Sequence, residues 1–212
     1  MATQKEVNIA PPNIKTALFT IRGTAPLVQN KFSAKAREMM KAKQEAGSVG
    51  KKGQKREAKD FQQCYRDAMH ISAEGWHGIP APAFRNALIS ACRICGFMMT
   101  RAKLAVFIEA DGFDVDDSSP LVRITKGVPE YFERLVRLET GVADIRPSPK
   151  FAEGWECELK VRFDADQFSG DDIANLLLRA GMQVGVGEGR PDSKSSNGMG
   201  WGTFEIVNPN KE

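Results

Sequence analysis

The sequence predicts a two-layer α+β fold, an antiparallel sheet with helices on one face, and three stretches carry that prediction. Trp155, Cys157, Leu159, Val161 and Phe163 alternate with Glu156, Glu158, Lys160 and Arg162, so a strand over 155–163 buries one face and wets the other. Residues 83–95 place Phe84, Leu88, Ala91, Cys92 and Cys95 on one side at helical spacing, between Pro82 in the first turn and Gly96 just past the end. Residues 170–180 repeat the pattern with Ile173, Leu176, Leu177 and Ala180. Ser169 is placed to cap this second helix, Asp171 and Asp172 suit its positive end, and Gly181 stands at its exit.

Taken in order, Lys15–Arg22 is rich in strand formers and bounded by Pro11-Pro12 and Gly23. After a turn, Ser33 is a candidate cap for a helix to Ala46; Gly47–Gln54 forms a loop, and Glu57–Ala68 resumes as helix. Residues 31–68 hold few large apolar side chains and are expected to form a basic arm outside the core. Leu104–Ile108 and Leu121–Ile124 read as short apolar strands, with Leu135–Leu138 and Ala143–Arg146 as weaker ones inside a second insertion, residues 110–150. Thr203–Val207 is the last strand. The resulting order, βαββαβ with 121–124 or 155–163 as the third strand, is ferredoxin-like, in one domain spanning 1–212. Trp155, Leu159, Val161, Ile173, Leu177, Phe204 and Ile206 should be buried together.

Composition excludes several functions. With 42% hydrophobic and 27% charged residues the chain is ordinary for a soluble globular protein. No apolar run approaches the ~20 residues of a membrane span. The amino terminus lacks an apolar signal core, so a cytoplasmic location is expected. Cys92 and Cys95 form a Cys-x-x-Cys within a helix, and Cys64 and Cys157 have no partner at zinc-knuckle spacing, so reduced thiols and no metal are expected. The run Asp111, Asp114, Asp116, Asp117 lacks the order of a calcium loop and reads as a solvated acidic turn.

Charge is unevenly spread. Between Lys31 and Lys59 ten basic residues face three acidic ones, a local charge of +7 that leaves −4 on the rest of a chain whose net charge is +3. Such a basic segment suits nucleic acid or another polyanion. Lys51, Lys52, Lys55, Arg56 and Lys59 are its candidate phosphate contacts, joined by Arg85, Arg146 and Lys150.

Between the second helix and the last strand lies Gly185–Gly202, with glycine at 185, 187, 189, 198, 200 and 202. Glycine at this density lets backbone N–H groups approach a ligand, because no Cβ intervenes. A dinucleotide-binding fingerprint requires its glycines after a strand and before a helix, the reverse of the order here, and no Gly-Lys-Ser/Thr of a P-loop is present. Gly187, Gly189, Arg190, Lys194, Gly198, Gly200 and Trp201 are therefore expected to contact nucleic acid, the indole by stacking on a base or, alternatively, by packing into the core.

Ile79-Pro-Ala-Pro-Ala-Phe-Arg-Asn-Ala-Leu88 resembles the Ile-Pro-x-Ser-x-Leu-Arg-x-Ala-Leu helix entry of the RAMP superfamily, the RNA-binding subunits of CRISPR effector complexes. Gly198-Met-Gly-Trp-Gly-Thr-Phe-Glu-Ile206 is similar to the glycine loop that feeds the last strand of that superfamily. Most of the chain also resembles phage-encoded RAMP-like proteins that share the basic arm, the Ile-Pro entry and a Val-Gly-Val-Gly-Glu-x-Arg-Pro ending, read here at Val184–Pro191.

The resemblance implies a non-catalytic protein binding single-stranded RNA or DNA, without cofactor, self-associating as repeated subunits along the strand or within a larger nucleoprotein complex; a phage product would act in the host cytoplasm. Two alternatives stay open: a component that binds a protein assembly such as a host CRISPR complex, and a metal-independent RNA endonuclease using His70 or His77, since histidine titrates near neutrality. No second catalytic partner is identifiable in the sequence, so no catalytic residue is assigned.

Overall fold

Strand β9 (Glu156–Asp164) is the spine of the main sheet. A computed structural model describes residues 9–32, 34–45, 59–137, 141, 143–193 and 199–207. The predicted alternation holds: Cys157, Leu159, Val161 and Phe163 are buried, and Glu158 and Arg162 are exposed on the other face. One edge of β9 pairs with β1 (Ile14–Gly23) from Ile14↔Asp164 to Arg22↔Glu156. The other edge is shared end to end. Strand β4 (Val106–Glu109) pairs at Val106↔Phe163 through Glu109↔Lys160, and β6 (Pro120–Lys126) takes over at Ile124↔Cys157 with an irregularity in register before Lys126.

Short strands complete the sheet: β10 (Phe204–Ile206) outside β1, and β3 (Gly78–Pro80) and β5 (Gly112–Phe113) on β6. Every strand pair among the described residues is antiparallel, and the whole is a mixed α/β structure. Helices α3 (Ala81–Cys92) and α5 (Gly170–Arg179) contribute Phe84, Leu88, Ile173 and Leu177 to one core with Trp155, Leu159, Val161 and Phe204. Ile206, expected inside, packs at the margin of that core.

Local chemistry sets the element ends. Ser169 and Asp172 form a reciprocal capping box at the start of α5. The helix does not stop at Gly181; it continues as a π-helical turn, Ala180–Val184, and ends at Gly185, whose φ is +69°. A Cβ on Gly181 would lie 2.0 Å from the Phe204 carbonyl oxygen, so this glycine serves close packing on β10. Helix α3 starts two residues earlier than its apolar spacing suggests and ends at Cys92, leaving Cys95 exposed in the turn to Gly96. Of the four free cysteines, Cys92 and Cys157 are buried, and burial pushes both thiols' pKa values up. The expected strand 104–108 is half helix: α4 (Met99–Ala105) buries Ala102 and Ala105 and leaves Leu104 exposed.

The two weak strand candidates of the second insertion are one long hairpin, β7 (Pro129–Arg137) with β8 (Ala143–Phe151), in register from Pro129↔Phe151 to Arg137↔Ala143. With β2 (Leu27–Val28) it forms a separate sheet ordered β2-β8-β7. Residues 110–150 are thus not one insertion, since β6 belongs to the main sheet. The basic arm is divided too. Helix α1 (Ala34–Glu45) and helix α2 (Phe61–Asp67) bracket residues outside the described part, and α2 is capped by Asp60 rather than starting at Glu57. Helix α2 rests on the hairpin, where Tyr65 meets Tyr131 edge-on at 5.2 Å and its hydroxyl donates to the Pro129 carbonyl. Among the described residues, no helix is long and apolar enough to cross a membrane.

Candidate nucleic-acid interface

The hairpin and the glycine loop together build one aromatic and cationic face. Strand alternation puts Tyr131, Glu133 and Leu135 on the α2 side of β7, and Phe132 and Arg134 on the opposite side. In β8 the same opposite side carries Arg146, Ser148 and Lys150, the register partners of Arg134, Phe132 and Glu130. Trp201 from the glycine loop stands edge-on to Phe132 at 5.7 Å, half-buried, neither in the core nor free. The Arg134 guanidinium lies 5.8 Å from the Trp201 ring centre, and the Lys150 ammonium 4.9 Å from that of Phe132. Each ring therefore carries a cation, an arrangement favoured by the negative face of the aromatic system.

The glycine loop is closed on the chain itself. Val186 N–H donates to Gly202 O, Gly202 N–H to Pro26 O, Glu188 N–H to Val28 O and Trp201 N–H to Gly189 O. A Cβ on Gly202 (φ +68°) would fall 1.7 Å from Val186 O, and one on Gly189 (φ +72°) 2.5 Å from the Trp201 ring. Gly187 packs equally tightly on Val28, whereas the space around Gly200 is open. Those four amides, of Val186, Glu188, Trp201 and Gly202, are spent inside the protein rather than turned toward a ligand. What the loop presents outward is side chains.

Glu188 and Arg190 are two of these. Glu188 Oε1 is 3.4 Å from Arg146 Nη1 and is also ion-paired with Arg134. Arg190 donates to Gly187 O at 3.0 Å and lines two hollows, of about 300 and 360 Å³, that share Ala83 and Gly187 in their walls. The larger is walled by Leu27, Ile79 and Pro80, by Gly187–Arg190, and by His70.

The other predicted contacts are scattered. Arg85 donates Nε–H to Val106 O at 3.0 Å, also reaches Lys103 O, and lies over Phe107, all at the β4 edge away from the glycine loop. Lys59 is held by Asp144 at 3.0 Å and lies over Phe61. Lys51, Lys52, Lys55, Arg56, Lys194 and Gly198 lie outside the described residues. Gly187, Gly189, Arg190, Arg146, Lys150, Gly200 and Trp201 are thus the predicted contacts on the loop and the strand beneath it. Sequence reasoning missed Phe132, Arg134 and Glu188. Their signal was the same-face spacing of Phe132 with Arg134 and of Arg146 with Lys150, readable once 129–151 is recognised as one hairpin.

The acidic turn is not solvated throughout. Asp114 has a fully buried carboxylate that accepts from Lys31 Nζ at 2.5 Å, and Lys31 also reaches Asp116 at 2.6 Å. Burial alone would lower the Lys31 pKa, but its hydrogen bonds to Asp114 and Asp116 and their negative charges outweigh it and raise the value. The second Asp114 oxygen is 3.4 Å from His70 Nδ1. Burial lowers the His70 pKa against the pull of Asp114, so its ring is neutral near pH 7. His77 is half-buried against the edge of Phe151, and burial lowers its pKa as well. No group of three or more metal-ligating side chains occurs among the described residues. No protein-family model matches the sequence, and no curated protein matches it.

Proposed function

We propose that the protein binds single-stranded nucleic acid without cleaving it, and that Trp201, Phe132, Arg134, Arg146 and Lys150 form the contact face. The observation that carries this reading is the pairing of each ring with a cation on the side of the hairpin that meets the glycine loop. Aromatic side chains stack on bases of any sequence, and neighbouring cations neutralise the phosphates between them. The face is small, so repeated subunits along one strand or a larger nucleoprotein complex would supply the remaining affinity.

The fold supports the same reading. The antiparallel pairing of β1 with β10 and β9, and of β4 with β9, is compatible with a ferredoxin-like core, in a sheet that also holds β6, β3 and β5. The RAMP resemblance of Ile79–Leu88 falls at the entry to α3, beside the glycine loop.

The test is anisotropy of labelled oligothymidylate and oligouridylate with wild type and Trp201→Ala. The variant should lose about 1–3 kcal/mol of binding, the usual value of a base–aromatic stack, with its melting temperature recorded alongside. Failure of the wild type to bind either strand rejects the reading.

A second reading, RNA cleavage, is favoured by one observation. His70 lines the larger hollow with Nδ1 directed to Asp114, an arrangement in which Nε2 is the nitrogen available for proton transfer. Metal-independent cleavage lost in His70→Gln would establish it. Uncut RNA after prolonged incubation would leave binding as the function.

A further inference from the structure

We propose that Arg134 and Arg146 form a site for one phosphate group, for which Glu188 is an internal, exchangeable counter-ion. As a phosphodiester site this rests on the nucleic-acid reading above; as an anion site it stands on geometry alone.

Arg134 and Arg146 are direct register partners across β7 and β8. Like charges at such positions repel, and a counter-charge between them offsets that cost. The anion present is a single carboxylate from another part of the chain. Both guanidiniums converge on Glu188 Oε1, while Glu188 Oε2 and Arg134 Nε are buried without a hydrogen-bond partner among the described residues. Two positive charges thus share one negative charge, and Lys150 adds a third cation to the same face. One planar carboxylate holding two forks through one oxygen leaves donors unused. A tetrahedral phosphate offers enough oxygens to engage both forks at once.

The carboxylate is also positioned to leave. Glu188 sits between Gly187 and Gly189, lines the 360 Å³ hollow and is 26% exposed, and Arg146 is 31% exposed, so solvent already reaches the pair. Arg134 is 11% exposed and lies over Trp201, which fixes its fork. A phosphate held there would bring its neighbouring base within reach of the Trp201 and Phe132 rings.

The experiment compares wild type with Glu188→Gln in two ways. Melting is recorded in chloride and in inorganic phosphate at matched ionic strength, and binding is followed by anisotropy of labelled oligothymidylate across a salt series. In chloride the variant should melt lower than wild type, because its arginines repel without a counter-ion, and phosphate should restore most of that loss while moving wild type little. The variant should bind the oligonucleotide about fivefold more tightly, with a log–log salt slope steeper by ~0.7. Equal responses of both proteins to phosphate overturn the proposal, whatever the oligonucleotide does. Selective rescue by phosphate with no oligonucleotide binding by wild type keeps the anion site and rejects the nucleic-acid reading. If Glu188→Gln folds in neither buffer, Arg146→Gln decides: its affinity should fall with a slope shallower by ~0.7, and an unchanged slope overturns the proposal.

Discussion

Two ion clusters in this molecule have opposite charge balance. Around Lys31, one ammonium meets two carboxylates, and every oxygen of Asp114 is used: Oδ1 takes Lys31 and the Asp116 N–H, and Oδ2 faces His70. The Lys31 side chain is 3% exposed and that of Asp114 is fully buried. Around Glu188, two guanidiniums meet one carboxylate on a side chain that is 26% exposed. The first cluster clamps the segment after β2 to the turn before β6, and its Lys31 and Asp114 are closed to a ligand. The second carries surplus positive charge beside aromatic rings. Burial with every hydrogen-bonding atom engaged marks a structural site, and partial exposure with surplus positive charge marks a recognition site.

Removing Lys31 should have the largest effect. Lys31→Ala leaves Asp114 buried without its ammonium and should cost about 3–5 kcal/mol in a denaturant titration. A loss below ~1 kcal/mol would mean that water compensates the carboxylate and that the clamp is no clamp.

Acid should act on the same cluster next. The folded-state pKa of His70 is lowered from 6.5 by burial, so below that value the unfolded chain binds more protons than the native one. The stability contributed by keeping His70 neutral is present in full above about 6.5 and lost as pH falls toward the folded-state value. His77 acts in the same direction. Thermal melts of His70→Gln should show a shallower decline than wild type between neutrality and mild acid. Identical profiles would remove His70 from the cluster's energetics. Lys31 has the opposite sign: its raised pKa gives stability that is present below 10.5 and lost as pH rises through the folded-state value.

Smaller effects separate the recognition cluster from the rest of the surface. Lys150→Ala should weaken oligonucleotide binding and flatten the salt slope by ~0.7 while leaving the melt nearly unchanged. A drop in melting temperature with unaltered binding would reassign Lys150 to holding Phe132. Arg85→Ala, with its guanidinium committed to the β4 edge, should leave affinity and salt slope where they are. A clear loss of binding would extend the contact face to the β4 edge.

The two clusters also differ in how well the sequence announces them. Strict alternation over 155–163 and the capping pattern at Ser169 are local signals, and the folded chain keeps both. Asp114 looks like its neighbours in an acidic run; only the register that brings Lys31 to it, 83 residues away, distinguishes it. In the sequence the hairpin shows only as weak fragments, because Pro129, Pro147 and Pro149 interrupt its pattern and its apolar residues are spread over both faces. Glycine spacing marks the loop, and at Gly187, Gly189 and Gly202 positive φ values accompany close packing against the chain itself. What spacing cannot convey is whether a bare backbone is approached by a ligand or by the chain itself.

The pairing of β1 with β9 bears on how the chain reaches this state. Arg22 and Glu156 are bonded across a sequence separation of 134, and β10, the other neighbour of β1, comes still later. The first strand therefore has no sheet partner until most of the chain has been made. Closing so large a loop before any contact rewards it slows folding, and the apolar side chains of β1, Leu18 and Phe19 among them, stay available for wrong pairings meanwhile. Refolding yield should consequently fall with protein concentration, and amides of β1 should gain protection from hydrogen exchange only together with those of β9.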